Sequence, residues 1–537
     1  MFMKKIKPTI GALVLAGFLT GCSRIADYSG ISDTPSESVS SDESSAGHSQ
    51  ISDTFTVGDY PIVKQKFLAK LNAEGGVYEN ATARTDGNFD GKGFLAMKEN
   101  SRLTHIVNVN TPQFYRVIIS ARSEKGASIK LYVKKKAEGV LYVPAAAEND
   151  ESFGYCTVNS IYLTSGSNAL DFVVENGTAD VDYILVENSD AVSADCYRTG
   201  TSCANPSASL ETVGAMKYLA EIYGTGVLAA ANVSIGTNAE IDAVYKATGR
   251  YPAIRTSELA GAVLDSEKSA DALEKDVLLA LDWGKNGGLV SYKWHWYSPN
   301  TRRTVDSGAF DMEEALSAKN LDEVALMTAD ELKLMVENGF LSANTISLLN
   351  DIDKIAEILG RFNAEKQVVL FEPVPNADCG LYWWGDSAEG HQKLYRLIFD
   401  RLCRYHKLSN LVWIWSGSSA DYYPGARYCD IIGQSILENS NSTFAARLSA
   451  ISENLSIRKP ICATSRDVLP AVDLIKRDNA MWLWNAIESG KFAINENGTL
   501  STEYNSLSSL NNAYNSTLFI TRDELPDLKN YAVGDLE

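Results

Sequence analysis

Residues 367–385, QVVLFEPVPNADCGLYWWG, decide how the rest of this 537-residue chain reads. Val368, Val369, Leu370 and Phe371 form a short apolar run, β-branched at its start, as a fully buried parallel strand does. It ends at Glu372-Pro373, where proline removes an N–H from the ladder. A loop with Asn376, Asp378 and Cys379 follows, then Tyr382-Trp383-Trp384-Gly385. Polar groups just past the C-terminal end of a buried strand, beside an aromatic wall, predict a sugar site at the mouth of a (β/α) barrel. The loop lacks a carboxylate at the position where such a site would use one.

Working outward, short buried strands are predicted at 226–230, 252–254, 288–292, 368–371, 410–414, 431–433, 460–463 and 480–483. Amphipathic stretches such as 209–223, 265–286, 342–363 and 391–407 separate them. Eight such alternations between residues 205 and 537 predict a (β/α)₈ TIM barrel. A doubly wound open sheet usually carries a glycine-rich phosphate loop after its first strand, and none is present. Upstream, residues 55–190 read as all-β, with alternating runs at 105–109, 115–119, 129–133, 169–173 and 182–186 parted by turn-formers. That spacing predicts a β-sandwich, jelly-roll-like, joined to the barrel by a linker at 191–204.

The N-terminus reads as a processing segment. Lys4, Lys5 and Lys7 precede an apolar run at 10–18 that is too short to span a membrane as a mature helix. Leu19-Thr20-Gly21-Cys22 resembles the bacterial lipobox, which implies a signal peptide over 1–21, lipidation of Cys22 and a membrane-anchored protein facing outward. Residues 22–54, rich in Ser, Asp, Glu and Gly, read as a solvated tether. Of eight cysteines, seven lie beyond Cys22; Cys196 and Cys203 are near enough in sequence to close a small loop, and an odd count leaves a free thiol. With no C-x-x-C pair, zinc is not expected. A net charge of −19 argues against nucleic acid, whereas a neutral polysaccharide is compatible with it. A monomer is the expected state.

Further stretches fall in order at the expected strand ends. They are GGLVSYKWHW at 287–296, EPVPN at 372–376 with Trp383-Trp384-Gly385, NLVWIW at 410–415 followed by Tyr423-Pro424-Gly425 and Asp430, KPICATS at 459–465, and Trp484-Asn485. Together these resemble glycoside hydrolase family 26, best known for β-1,4-mannanases. The resemblance covers residues 205–537. EPVPN stands where the family has R-P-x-H-E, and KPICATS where it has K-P-I-x-x-x-E.

Two departures bear on function. Retaining glycosidases use two carboxyl groups about 5–5.5 Å apart, one as nucleophile and one as proton donor. The resemblance implies that Asn376 holds the acid/base position and Ser465 the nucleophile position. An amide has no proton to give at a useful pKa, and a serine hydroxyl does not replace a carboxylate without a base beside it. The supporting arginine and histidine have become Glu372 and Pro375. Asp378 and Asp467 are the candidate substitutes, each two residues past a lost glutamate; a misplacement of about 1 Å can cost a hundredfold. Trp296, Tyr382, Trp384, Tyr423 and Trp484 are candidates to stack on pyranose faces, and His295 to bond a hydroxyl, while Trp294 and Trp413 read as core.

In the upstream region, 74–79, FDGKGF at 89–94, LTSGSN at 163–168 and VDYI at 181–184 resemble carbohydrate-binding modules of families 35 and 6. That resemblance implies glycan binding and a possible structural Ca²⁺ held by Glu74, Glu79 and Asp182, short of the six to eight oxygens calcium takes. No cofactor is expected in the barrel. The expected function is capture of mannan or a related β-linked polysaccharide by a barrel that has lost its hydrolytic pair. A retaining endo-β-1,4-mannanase with relocated carboxylates, and a surface scaffold in which neither domain sees sugar, are the alternatives.

Overall fold

The structure, a computed structural model, describes residues 21–22, 67–147, 150–264, 266–300, 303–455 and 458–531. Apart from Gly21 and Cys22, the expected leader over 1–21 and tether over 22–54 lie outside the described residues, as does the start of the all-β region to residue 66.

The N-terminal part is β-rich. Strands β1 (Gly21–Cys22), β2 (Leu68–Asn72), β3 (Val77–Arg84), β4 (Phe94–Val109), β5 (Gln113–Arg122), β6 (Ala127–Val133), β7 (Lys136–Val143), β8 (Gly154–Leu163), β9 (Gly166–Gly177) and β10 (Ala179–Asn188) pair antiparallel. Their order is β1-β8-β5-β10-β4-β9-β6-β7, with β2 on β10 and β3 on β4. Alternate residues such as Val117 and Ile119, Ile129 and Leu131, Leu170 and Phe172, and Ile184 and Val186 turn to one core. Each such side chain contributes about 1.5–3 kcal/mol by leaving water. The five runs expected from alternation fall inside β4, β5, β6, β9 and β10.

Eight parallel strands follow: β11 (Val227–Asn232), β12 (Ile254–Glu258), β13 (Leu289–Trp294), β14 (Val369–Pro373), β15 (Leu411–Ser416), β16 (Ile431–Ile436), β17 (Ile461–Arg466) and β18 (Trp484–Ile487). They pair in sequence, and β11 bonds both β12 and β18, so the barrel closes. Nearly every strand residue is buried, which is why the strands read as continuous apolar runs. Helices cover the outside by amphipathic stripes; Glu267–Lys285 buries Leu273, Val277, Ala280 and Trp283, and Ser266 caps its start. Asp276 on the same stripe meets Arg255 at 2.7 Å and accepts a bond from Tyr292 at 2.9 Å, pinning that helix to β12 and β13.

Seven of the eight expected barrel strands overlap those observed. The eighth does not: β18 begins at Trp484, where the expected strand had already ended. Residues 480–483 are an equally apolar approach to the strand, and a short apolar run does not fix its own register. A ninth short strand, β19 (Phe519–Ile520), pairs with β11. The β-rich region rests on the barrel helix Ala445–Asn454, whose Ala446 joins the β-rich core. Across this contact buried Lys130 lies 2.5 Å from Glu438, and Ser442 Oγ donates to Glu138 at 2.7 Å.

Candidate functional site

At the C-terminal strand ends lies a cleft of about 330 Å³. Its polar wall is built in register. Glu258 at the end of β12 pairs with Lys293 on β13, and Lys293 pairs with Glu372 on β14, so three ionisable side chains stand in one row across adjacent strands. Asn232, Ser465, Glu488, His295, Asn376 and Tyr382 complete the lining the argument needs.

Asn376 and Ser465 both line this cleft, and each is held differently. Asn376 is in the left-handed region at φ 53°, which asparagine tolerates. Its N–H donates to Ser416 O at 3.0 Å, and its Oδ1 accepts from Ser416 Oγ at 3.1 Å. Nearby Gly385 has no freedom to become anything larger, because a Cβ there would lie 1.9 Å from Ala377 O. Ser465 sits in a charged network. Lys293 Nζ donates to Ser465 Oγ at 2.6 Å, and Ser465 Oγ donates to Glu488 Oε2 at 2.5 Å. Asn232 Nδ2 reaches the same Glu488 oxygen at 2.9 Å, and Lys293 lies 3.8 Å from it.

The two carboxyls beside Lys293 are driven apart. Burial raises Glu372, and Lys293 only partly offsets this. Burial also pushes Glu488 upward, but Lys293, the Ser465 hydroxyl, the Ser489 amide and Asn232 outweigh it, and Glu488 ends below the usual carboxylate range. His295 faces burial that lowers it and a Glu258 contact at 2.5 Å that prevails, so its pKa is raised.

The proposed substitutes are placed elsewhere. Asp378 takes the backbone N–H groups of Ser418 and Ser419 at 2.6 and 2.7 Å, and Asp467 those of Asn439 and Val468 at 2.6 and 2.7 Å. Each organises a loop, and neither lines the cleft.

Of the aromatic candidates, Tyr382 lines the cleft, stacked on Trp384 at 4.3 Å, with His295 edge-on to both. Trp384 itself is fully buried, donating to Pro375 O at 3.0 Å, so it backs the wall rather than facing it. Trp296 is likewise buried, stacked on Trp294 and bonded to Asp351. Trp484 starts its strand opposite Leu228, at the end of the barrel away from the mouth, and packs in the core. Half-buried Tyr423 packs edge-on to Trp415, outside the cleft lining. Trp294 and Trp413 are core residues, as read from the sequence.

In the β-rich region Glu79 is exposed on β3, Asp182 accepts the Asp90 N–H at 3.0 Å, and Glu74 is half-buried. Among the described residues no group of three or more His, Cys, Asp or Glu side chains is arranged to hold a metal ion. Cys196 and Cys203 are free thiols and form no disulfide. Cys196 packs by Tyr223 and Cys203 by Thr212 O, at opposite ends of the helix Leu210–Ile222. Among the described residues no helix is long and apolar enough to cross a membrane.

Four residues that build the cleft were given no role in the sequence reading: Asn232, Glu258, Lys293 and Glu488. Asn232, Glu258 and Glu488 share one signal, a polar residue at or just past a strand end, and Lys293 sits one residue inside its strand.

A closed eight-stranded parallel barrel with a polar cleft at its C-terminal strand ends defines the class: a (β/α)₈ barrel of the kind whose ligands sit among the βα loops. The family model described as glycosyl hydrolase family 26 matches residues 204–524, more than half of the chain, and the chain belongs to that family. It is 28% identical over 371 residues to the mannan endo-1,4-β-mannosidase of Thermothelomyces thermophilus, covering 68% of this chain and 71% of that protein. It is 23% identical over 472 residues to mannan endo-1,4-β-mannosidase B of Piromyces sp., covering 84% and 77%. Among solved structures, the GH26-CBM35 β-(1,4)-mannanase of Podospora anserina shares the fold with a TM-score of 0.54 at 23% identity, over 86% of this chain and 99% of that one. A ruminal GH26 endo-β-1,4-mannanase does so with a TM-score of 0.56 at 21% identity and the same coverage.

Proposed function

We propose that this family 26 barrel binds a chain of β-1,4-mannan type at its mouth without cleaving it. The observation that carries the proposal is the network at Ser465, the position the family resemblance assigns to the nucleophile. A retaining mechanism develops positive charge on the sugar next to that position. Here the Lys293 ammonium lies within hydrogen-bond distance of it, which opposes such a charge. Glu488 is beside the serine, but a carboxylate held below its usual range is a poor base. Asn376 has no proton to donate in the second position. Polar groups that bond hydroxyls, with the Tyr382 face beside them, suit a neutral saccharide.

The relatives named as mannan endo-1,4-β-mannosidases point to the same substrate class. We extend the proposal to the β-rich region as a sandwich-type carbohydrate-binding module and to Cys22 as a lipid anchor holding both parts outside the cell. The alternative of relocated carboxylates is weakened separately, since Asp378 and Asp467 are tied to loop amides.

Affinity electrophoresis through gels containing mannan tests binding, with a reducing-end assay on the same polymer. The expected result is retardation of the wild type, weakened by Tyr382→Ala, with no new reducing ends. Trp384→Ala is a poor probe, because deleting a fully buried tryptophan costs about 3–5 kcal/mol of stability by itself. Unretarded wild type would favour a scaffold, and new reducing ends an enzyme.

A further inference from the structure

Glu372 is the one carboxylate in the cleft wall whose bonding is incomplete. It is 1% exposed, yet it lines the cleft. Oε1 accepts from Thr464 Oγ1 at 3.2 Å, while Oε2 is buried and has no hydrogen-bond partner among the described residues. The Ser416 hydroxyl is close by but gives its proton to Asn376 Oδ1. A buried polar oxygen left without a partner costs about 1–3 kcal/mol, more if charged, so something entering the cleft is needed to satisfy it. Contrast Glu258, whose oxygens take the N–H groups of Leu259, Ala260 and His295 and the His295 ring. Glu488 is likewise fully engaged.

We propose that Glu372 is a ligand-binding residue whose free oxygen carries a proton once the cleft is occupied and donates it in a hydrogen bond to a sugar hydroxyl, so that the barrel takes up a proton when the glycan enters. The inference rests on the mouth being the glycan site. It assigns to that site a residue standing where the family resemblance puts an arginine.

The groups facing Glu372 decide the sign. Lys293 and His295 on the β13 side favour its ionised form, as does the Thr464 hydroxyl from β17 that bonds it. Cys462 from β17, Tyr382 and Tyr395 face it as neutral groups whose own ionisation it opposes. Burial outweighs the cations in the open cleft. A sugar ring in the cleft removes more water and moves the balance further toward the protonated form. Affinity is then greatest below the pKa of the open cleft. It falls as pH rises, by at most about tenfold per pH unit, until the higher pKa of the occupied cleft is passed.

The test is calorimetric titration of the whole chain with β-1,4-mannohexaose in buffers of different ionisation enthalpy, from about pH 5 to about pH 8. The wild type should take up a fraction of a proton on binding, up to about one, and lose affinity as pH rises. Glu372→Gln keeps the shape and an N–H donor but cannot titrate; it should bind with no proton uptake attributable to this position and a flatter pH profile. Binding by the wild type without proton uptake, or with the same uptake in the Gln variant, would overturn the role of Glu372 while leaving the mouth as a glycan site. No binding heat from either protein at any pH would overturn both.

Discussion

The two positions where family 26 resemblance expects carboxylates are held by opposite means. In the loop after β14, Asn376 is a neutral amide on a left-handed backbone, its side chain tied to one neighbour, Ser416. At the end of β17, Ser465 lies inside a charged network spanning β11, β13, β17 and the residue after β18. The difference separates two ways in which a polar residue can be held at a strand end. A loop position can be filled by any polar residue that suits the backbone. Ser465, buried within β17, is instead tied to a lysine and a glutamate brought in from other strand ends.

That contrast breaks most readily at Lys293. Lys293→Met strands Glu488 beside Ser465 without its cation, and loss of one partner from a largely buried pair costs about 3 kcal/mol. Urea unfolding should register that loss in full. Asn376→Gly removes the side-chain hydrogen bond from a half-buried loop while leaving the left-handed backbone unstrained, and should cost only about 1 kcal/mol. Equal losses at the two positions would remove the distinction drawn between them.

The smallest effect is one of pH. Glu372 has a raised folded-state pKa, so the folded chain binds more protons there than the unfolded chain, and stability falls as pH rises above the unfolded value. Glu488, with a lowered pKa, contributes stability above the unfolded value that is lost as pH falls through the folded one. Glu372→Gln should therefore gain on the wild type in thermal unfolding at neutral pH, the gap closing toward acid. A gap that widens toward acid would reverse the assignment.

Much of this architecture is legible in the sequence, because a doubly covered parallel strand writes itself as an apolar run such as Val369–Pro373 and its neighbours. Helix stripes with serine caps mark the intervening segments well enough to place Glu267–Lys285 and Ala343–Ala364 within a residue or two of expectation. The cleft is less legible. Lys293 hides inside the apolar run Leu289–Trp294, and its meaning depends on standing in register with Glu258 and Glu372 from strands far away in sequence. Glu488 was missed for a simpler reason: setting β18 four residues early put Trp484 at the mouth, whereas the true strand ends at Ile487 and delivers Glu488 there. Trp296 and Trp384 show the remaining limit, since an aromatic beside a strand end can face the ligand or brace the wall, and only packing decides.

The most direct measurement of the central claim follows one sample of mannohexaose with the whole chain by calorimetry and then by chromatography of the recovered sugar. The account predicts saturable binding heat with the hexaose recovered intact. Recovery of shorter mannooligosaccharides, abolished by Glu488→Gln or Glu372→Gln, would contradict it.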